Sequence, residues 1–191
     1  SVETGSGNIT SGTDCVRQDG SLKVKAGSGN IRWENALASQ ISCQAGSGNL
    51  KTENLKGDIA LQTGSGNITG DVLEGRISAE AGSGNVSLDD ISGSGKMTAG
   101  SGNVTVKAKS LTGDMKLGAG SGNIKLELPK GTAFHFQADT GSGIIRTDFD
   151  EKLSYNKKGN HAEGDVGDHP ACRVEAETNS GNVKVLAAGT E

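Results

Sequence analysis

GSGNLKTENLKGDIALQT, residues 46–63, is one period of a repeat that runs through almost the whole chain. GSGN stands at 5–8, 27–30, 46–49, 64–67, 82–85, 100–103 and 120–123, and two degraded copies follow, GSGI at 141–144 and NSGN at 179–182. The spacings are 22, 19, 18, 18, 18, 20, 21 and 38 residues, the last equal to two periods of 19. Self-similarity at a fixed period of about 20 residues marks a solenoid, in which each repeat buries its apolar face only against its neighbours.

Within the unit, apolar residues follow Asn49 at offsets one, six, ten and twelve: Leu50, Leu55, Ile59 and Leu61. The next unit places Ile68, Leu73, Ile77 and Ala79 at the same offsets. Period-2 pairs separated by turns predict two short strands per coil, not a helix. Gly57, Gly75 and Gly93 mark the second turn. The GSG triplet marks the first, since Gly reaches positive φ without steric cost.

Stacked coils put each residue about 4.7–4.9 Å from its copy in the next coil. The column after Asn reads Ile9, Ile31, Leu50, Ile68, Val86, Val104, Ile124, Ile145 and Val183, aliphatic throughout and therefore inward. The Asn column reads Asn8, Asn30, Asn49, Asn67, Asn85, Asn103, Asn123 and Asn182, a hydrogen-bonding corner ladder. The expected fold is all-β: a single parallel β-solenoid (β-helix or β-roll) of about ten coils with 18–21 residues per coil. It fills residues 1–191 as one domain, with 148–173 as an irregular loop insertion between coils.

The composition suits a thin core: 31 residues are Gly and 3% are aromatic, where a compact globule packs more large side chains. A net charge of −4 without a basic block gives nucleic-acid binding no electrostatic basis. No apolar run reaches the roughly 18 residues of a membrane span. The chain opens without Met or a signal peptide, as a mature exported chain would, and as a chain trimmed from a longer protein would too. Cys15, Cys43 and Cys172 are odd in number and match no zinc spacing, so buried free thiols are expected.

The GSGN-[ILV] corners, LELPKGTAFHFQADTGSG at 126–143 and GDVGDHPACRVEAETNSGNVKV at 164–185 together resemble the bacterial putative-adhesin family of GSGN-type β-repeat domains, related to the head GIN domain. The likeness covers essentially the whole chain. It implies a β-solenoid, export and an extracellular or cell-surface setting, and it supplies no catalytic residue.

Two outward columns share one face. Offset four is acidic (Glu34, Glu53, Asp71, Asp89, Glu127, Asp148), interrupted by Lys107; offset two is basic or hydroxylic (Arg32, Lys51, Thr69, Ser87, Thr105, Lys125, Arg146). A solvated face with compensating charges is the plain reading. Asp71 and Asp89, with no basic residue at offset two, are candidate cation ligands. In the insertion, His161 and His169 beside acids are candidate metal ligands. No cofactor is expected. Catalytic sites are local exceptions and this acidic column is monotonous, so no enzyme activity is expected, and a polysaccharide-acting enzyme ranks third among functions.

The chain starts within a coil: Val2, Glu3 and Thr4 match Leu61, Gln62 and Thr63. It ends soon after a first strand carrying Val183 and Val185. From Asn179 through Glu191 to Gly5 of a second copy is 17 residues, close to one period. These ends therefore read as assembly ends, and the leading expectation is a structural protein stacking head to tail with itself into an extracellular filament. Cys15 and Cys172 would approach one another across such a joint. The alternative is a monomeric surface domain binding a glycan or protein partner.

Overall fold

The computed structural model describes residues 1–11, 14–149 and 153–188, and its regular structure is entirely β-strand. Two short strands open the chain, β1 (Val2–Thr4) and β2 (Ile9–Thr10). Six long strands follow: β3 (Cys15–Ala26), β4 (Ile31–Ala45), β5 (Leu50–Thr63), β6 (Ile68–Ala81), β7 (Val86–Ala99) and β8 (Val104–Ala119). Each runs round most of one coil and pairs in parallel with the next. The expected pair of strands per coil is thus one strand with bends. At offset five the backbone enters the left-handed region, at Asn35, Asn54, Val72 and Asp90 (φ 51° to 56°), and coil-to-coil pairing resumes directly after it. Two consecutive residues face outward there, which resets the alternation so that offset six points inward.

The offset-one column is buried throughout, as are offsets six, ten and twelve in β5 and β6. Offset three also points inward, with Trp33, Thr52, Leu88, Val106 and Leu126. The period-2 signal there is blurred because Thr52 and Gly70 stand where an aliphatic residue would announce a core position.

The corners differ from expectation in their physical cause. Their glycines keep φ outside the left-handed region; positive φ occurs at the second turn, at Gly57 (139°) and Gly75 (121°), and in β7 it moves from the expected Gly93 to Gly95 (137°), the partner of Ile77. The corner glycines are required by close approach. A Cβ on Gly84 would collide with the carbonyl oxygen of Gly66 one coil below, and one on Gly82 with that of Gly64. Beside them, each Asn Oδ1 accepts the backbone N–H and the side-chain amide of the next Asn, as when Asn67 donates to Asn49 at 2.8 and 3.2 Å.

The C-terminal third departs from simple winding. Strand β9 (Ile124–Pro129) stacks on β8, but after a turn at Lys130–Gly131 the strand β10 (Phe134–Thr140) stands one layer further out, followed by β11 (Ile145–Thr147). The chain reverses into β12 (Leu153–Tyr155) and β13 (His161–Val166), then returns as β14 (Arg173–Thr178) and β15 (Val183–Ala188) to fill the vacant layer. Thus β14 lies between β8 and β10, and β15 between β9 and β11. The 38-residue gap is not two plain turns, and the ladder runs Asn123, Asn182, then Ile144, whose N–H donates to Asn182 Oδ1 at 3.1 Å. Val174, Ala176, Val183 and Val185 seal this layer, each at most 2% exposed, and a fully buried Val contributes about 1.5–3 kcal/mol. On its surface Lys116 of β8 bonds Glu175 of β14 at 3.0 Å. That bond raises the lysine's pKa and lowers the carboxyl's.

Three expectations are corrected here. The solenoid has about six full turns, not ten, because the later strands form partial, interleaved layers. Residues 148–173 are not an irregular insertion: they hold the β12–β13 hairpin, which pairs antiparallel with β10, while residues 150–152 lie outside the described set. Val183 and Val185 are not an assembly end, since each is paired on both sides and fully buried; residues 189–191 lie outside the described set.

Gly84→Ala is expected to cost about 3 kcal/mol or more, because the clash is with backbone that cannot move aside. Gly5→Ala, with nothing within 4 Å of the added methyl, is expected to leave the melting temperature unchanged. Val72 is β-branched, exposed and at φ 51°, so Val72→Asn is expected to stabilise by about 1 kcal/mol while extending the Asn35–Asn54 side-chain bond by one layer. Denaturant titration of the three variants checks all of this.

Candidate functional site

The features that break the repeat gather at the capped end. All three histidines and four of the five aromatic residues fall between 134 and 169. Phe134 packs edge-on against Phe136 and Phe149, with centroids 6.2 and 5.4 Å apart, closing the core. The cap is fastened on its outer face by two histidine–aspartate bonds. His135 Nδ1 meets Asp165 Oδ1 at 2.7 Å, and His161 Nδ1 meets Asp139 Oδ1 at 2.6 Å. Between them Glu163 faces both rings, 3.7 Å from His135 Nε2 and 3.9 Å from His161 Nε2. Antiparallel register sets this up, placing His135 opposite Asp165 and Asp139 opposite His161. His161 and His169 lie close in sequence, but the histidine that shares the cap with His161 is His135. The signal was the alternation in HFQAD and HAEGD, two half-buried strands with opposite charges in reversed order.

His169 sits in the turn between β13 and β14, at φ 51°, away from that register. Asp71 and Asp89 are neighbours in the stack, but Asp89 bonds Lys107 Nζ from the next coil at 2.9 Å. This bond is the main reason that the Lys107 amine holds its proton above its ordinary range. Among the described residues no group of three or more His, Cys, Asp or Glu side chains is arranged to hold a metal ion. On the same face Arg32 pairs with Glu34 at 2.5 Å and Lys125 with Glu127 at 2.6 Å.

At the opposite end, β1 pairs with β3 through Val2, Glu3 and Thr4, and β2 with β4. Among the described residues neither has a strand on its outer side, and Val2 is 40% exposed. Cys15 belongs to this end and Cys172 to the capped one, and all three cysteines are free.

Burial pushes the Cys43 thiol up to about 12. The unfolded thiol ionises from about pH 8.5 while the folded one keeps its proton. The unfolded chain then binds fewer protons, so stability falls with rising pH between about 9 and 12, by at most about 1.4 kcal/mol per unit. At pH 8 a thiol reagent is expected to label half-buried Cys15 and Cys172 in the native protein, and Cys43 only after unfolding; mass spectrometry of labelled peptides checks this.

Comparison with curated protein sequences returns no match. Among solved structures the chain is similar to one described as a "putative cell adhesion protein" from Clostridium sporogenes, at 13% identity and a TM-score of 0.35. The similarity covers 80% of this chain, which spans 58% of the length of that one. The profile of the Toastrack DUF4097 family matches residues 2–186, including the corners, the interleaved layers and the cap. This chain belongs to the Toastrack DUF4097 family.

Proposed function

We propose that the chain is a non-enzymatic binding domain, displayed outside the cell or on its surface, that engages a glycan or protein partner at its capped end. The observation that supports it is the concentration of irregular features there. A repeat surface presents the same chemistry in every coil, whereas recognition needs a local exception, and loops placed by a rigid scaffold commonly carry it. The likeness of the GSGN corners to the putative-adhesin family supports the surface setting. The absence of catalytic chemistry belongs to this reading on the same ground: the paired carboxylates recur coil after coil without one distinguished pair.

The filament expected from sequence would continue the parallel stack, and among the described residues the strand that stands on β10 is antiparallel, which supports the binding reading instead. Hairpin β12–β13 pairs with β10, and Ile145 N–H of β11 donates to Gly159 O in the hairpin turn at 3.1 Å. Among the described residues β12 is the outermost strand there, and its antiparallel pairing with β13 does not continue the parallel register of the coils.

Light scattering after size exclusion, with electron microscopy of the same micromolar sample, tests this. Single short rods are expected. Long unbranched filaments would overturn the reading and restore head-to-tail assembly.

A further inference from the structure

Three cations distant in sequence form a row at the capped end. Lys125 of β9, Lys184 of β15 and Arg146 of β11 occupy the same outward position in successive layers, in register across both parallel pairs. Neighbouring strands lie about 4.8 Å apart, so like charges in this row repel. The fold does not demand them, since the same column carries Thr69, Ser87 and Thr105 in β6 to β8. Only Lys125 is neutralised as elsewhere. Arg32 and Lys125 each pair with an acid two residues on, whereas after Lys184 that position is Leu186 and after Arg146 it is Asp148. Among the described residues neither Lys184 nor Arg146 has a carboxylate partner. The hairpin turn adds Lys157 and Lys158, exposed and set beside the row by the Ile145–Gly159 hydrogen bond. In a chain of net charge −4 this is a local reversal of sign.

The row also has shape. Arg146 and Lys184 line two adjoining grooves, of about 470 and 560 Å³; Tyr155, 41% exposed, lines the larger together with one acid, Asp148. A ring face beside a line of cations fits a sugar ring that carries an anion. An extended chain of such sugars offers successive negative groups at a spacing comparable to the strand spacing, which a compact anion does not.

We propose that this row is the binding site for an acidic polysaccharide. Lys184 and Arg146 take its carboxylates, Lys125 with its Glu127 partner borders the site, and Tyr155 packs on a pyranose face. The proposal rests on the binding-domain reading above and names its ligand class.

Fluorescence anisotropy with a labelled oligogalacturonate tests it on the full chain. Binding is expected to weaken with salt. It is expected to fall about tenfold or more in Arg146→Gln/Lys184→Thr and measurably in Tyr155→Ala, the larger loss being that of at least one charge-assisted contact. Lys116→Gln on the other face should bind as the native chain does. The double variant should melt no lower than the native protein, since it removes repulsion at exposed positions, so a loss of binding is not a loss of fold. Absence of native binding, equal binding by the double variant, or equal competition by poly-glutamate or by a neutral glucan would each overturn the proposal. Mass spectrometry of the oligosaccharide after the titration separates the two readings: shortened chains would overturn the non-enzymatic reading, whereas an inert, non-binding monomer would overturn only the site.

Discussion

The structure depends on how closely one coil's backbone approaches the next at the GSGN corner. Parallel strand spacing must hold around the whole coil, including where the chain turns. At the two glycines the carbonyl of the coil below lies where a Cβ would be, so no other residue fits without lifting the layers apart. Once the layers are that close, Asn becomes the natural neighbour. Its single Oδ1 accepts both donors of the Asn above, binding each corner to the next without bulk. Buried threonines reinforce the same turn from within: Thr63, Thr140 and Thr178 donate to the glycine carbonyls at 48, 181 and 122. The repetition of four small residues is a packing requirement imposed once per coil.

A parallel stack has no intrinsic end, and an uncovered last strand invites pairing with another chain. This chain ends its stack by two devices. Strands β14 and β15 enter beneath an already placed outer layer, so the final coil is held from both sides. The chain then presents a reversed strand, β13, whose antiparallel pairing breaks the register that a further parallel coil would need. The His135–Asp165 and His161–Asp139 bonds hold that reversed strand down on the surface, where burial alone is weak.

The surface follows the same division. Along the regular coils charges alternate and largely compensate, as between Lys56 and Glu74 or Lys107 and Asp89, and exposed pairs of this kind add little to stability. The interleaved layers obey a different logic, because strands far apart in sequence meet there without the local pattern that balanced their charges.

The repeat period, the inward aliphatic columns and the Asn ladder were legible because each is a local constraint written once per coil. Those signals sufficed for an all-β solenoid with its corners in the right places. They carried no information about layer order. Ile145 and Val183 satisfy the same inward position equally well, so hydrophobic pattern alone cannot say which lies nearer Ile124. That choice follows from where the Lys130–Gly131 turn sends β10 and what then fills the space, a decision made by non-local pairing. The parallel C-terminal edge inferred from sequence gives way to an antiparallel hairpin for this reason. The capping histidine bonds and the row of Lys125, Lys184 and Arg146 appeared for the same reason. What every coil must repeat was readable from the chain itself; what happens where the repetition stops was decided only when distant strands met.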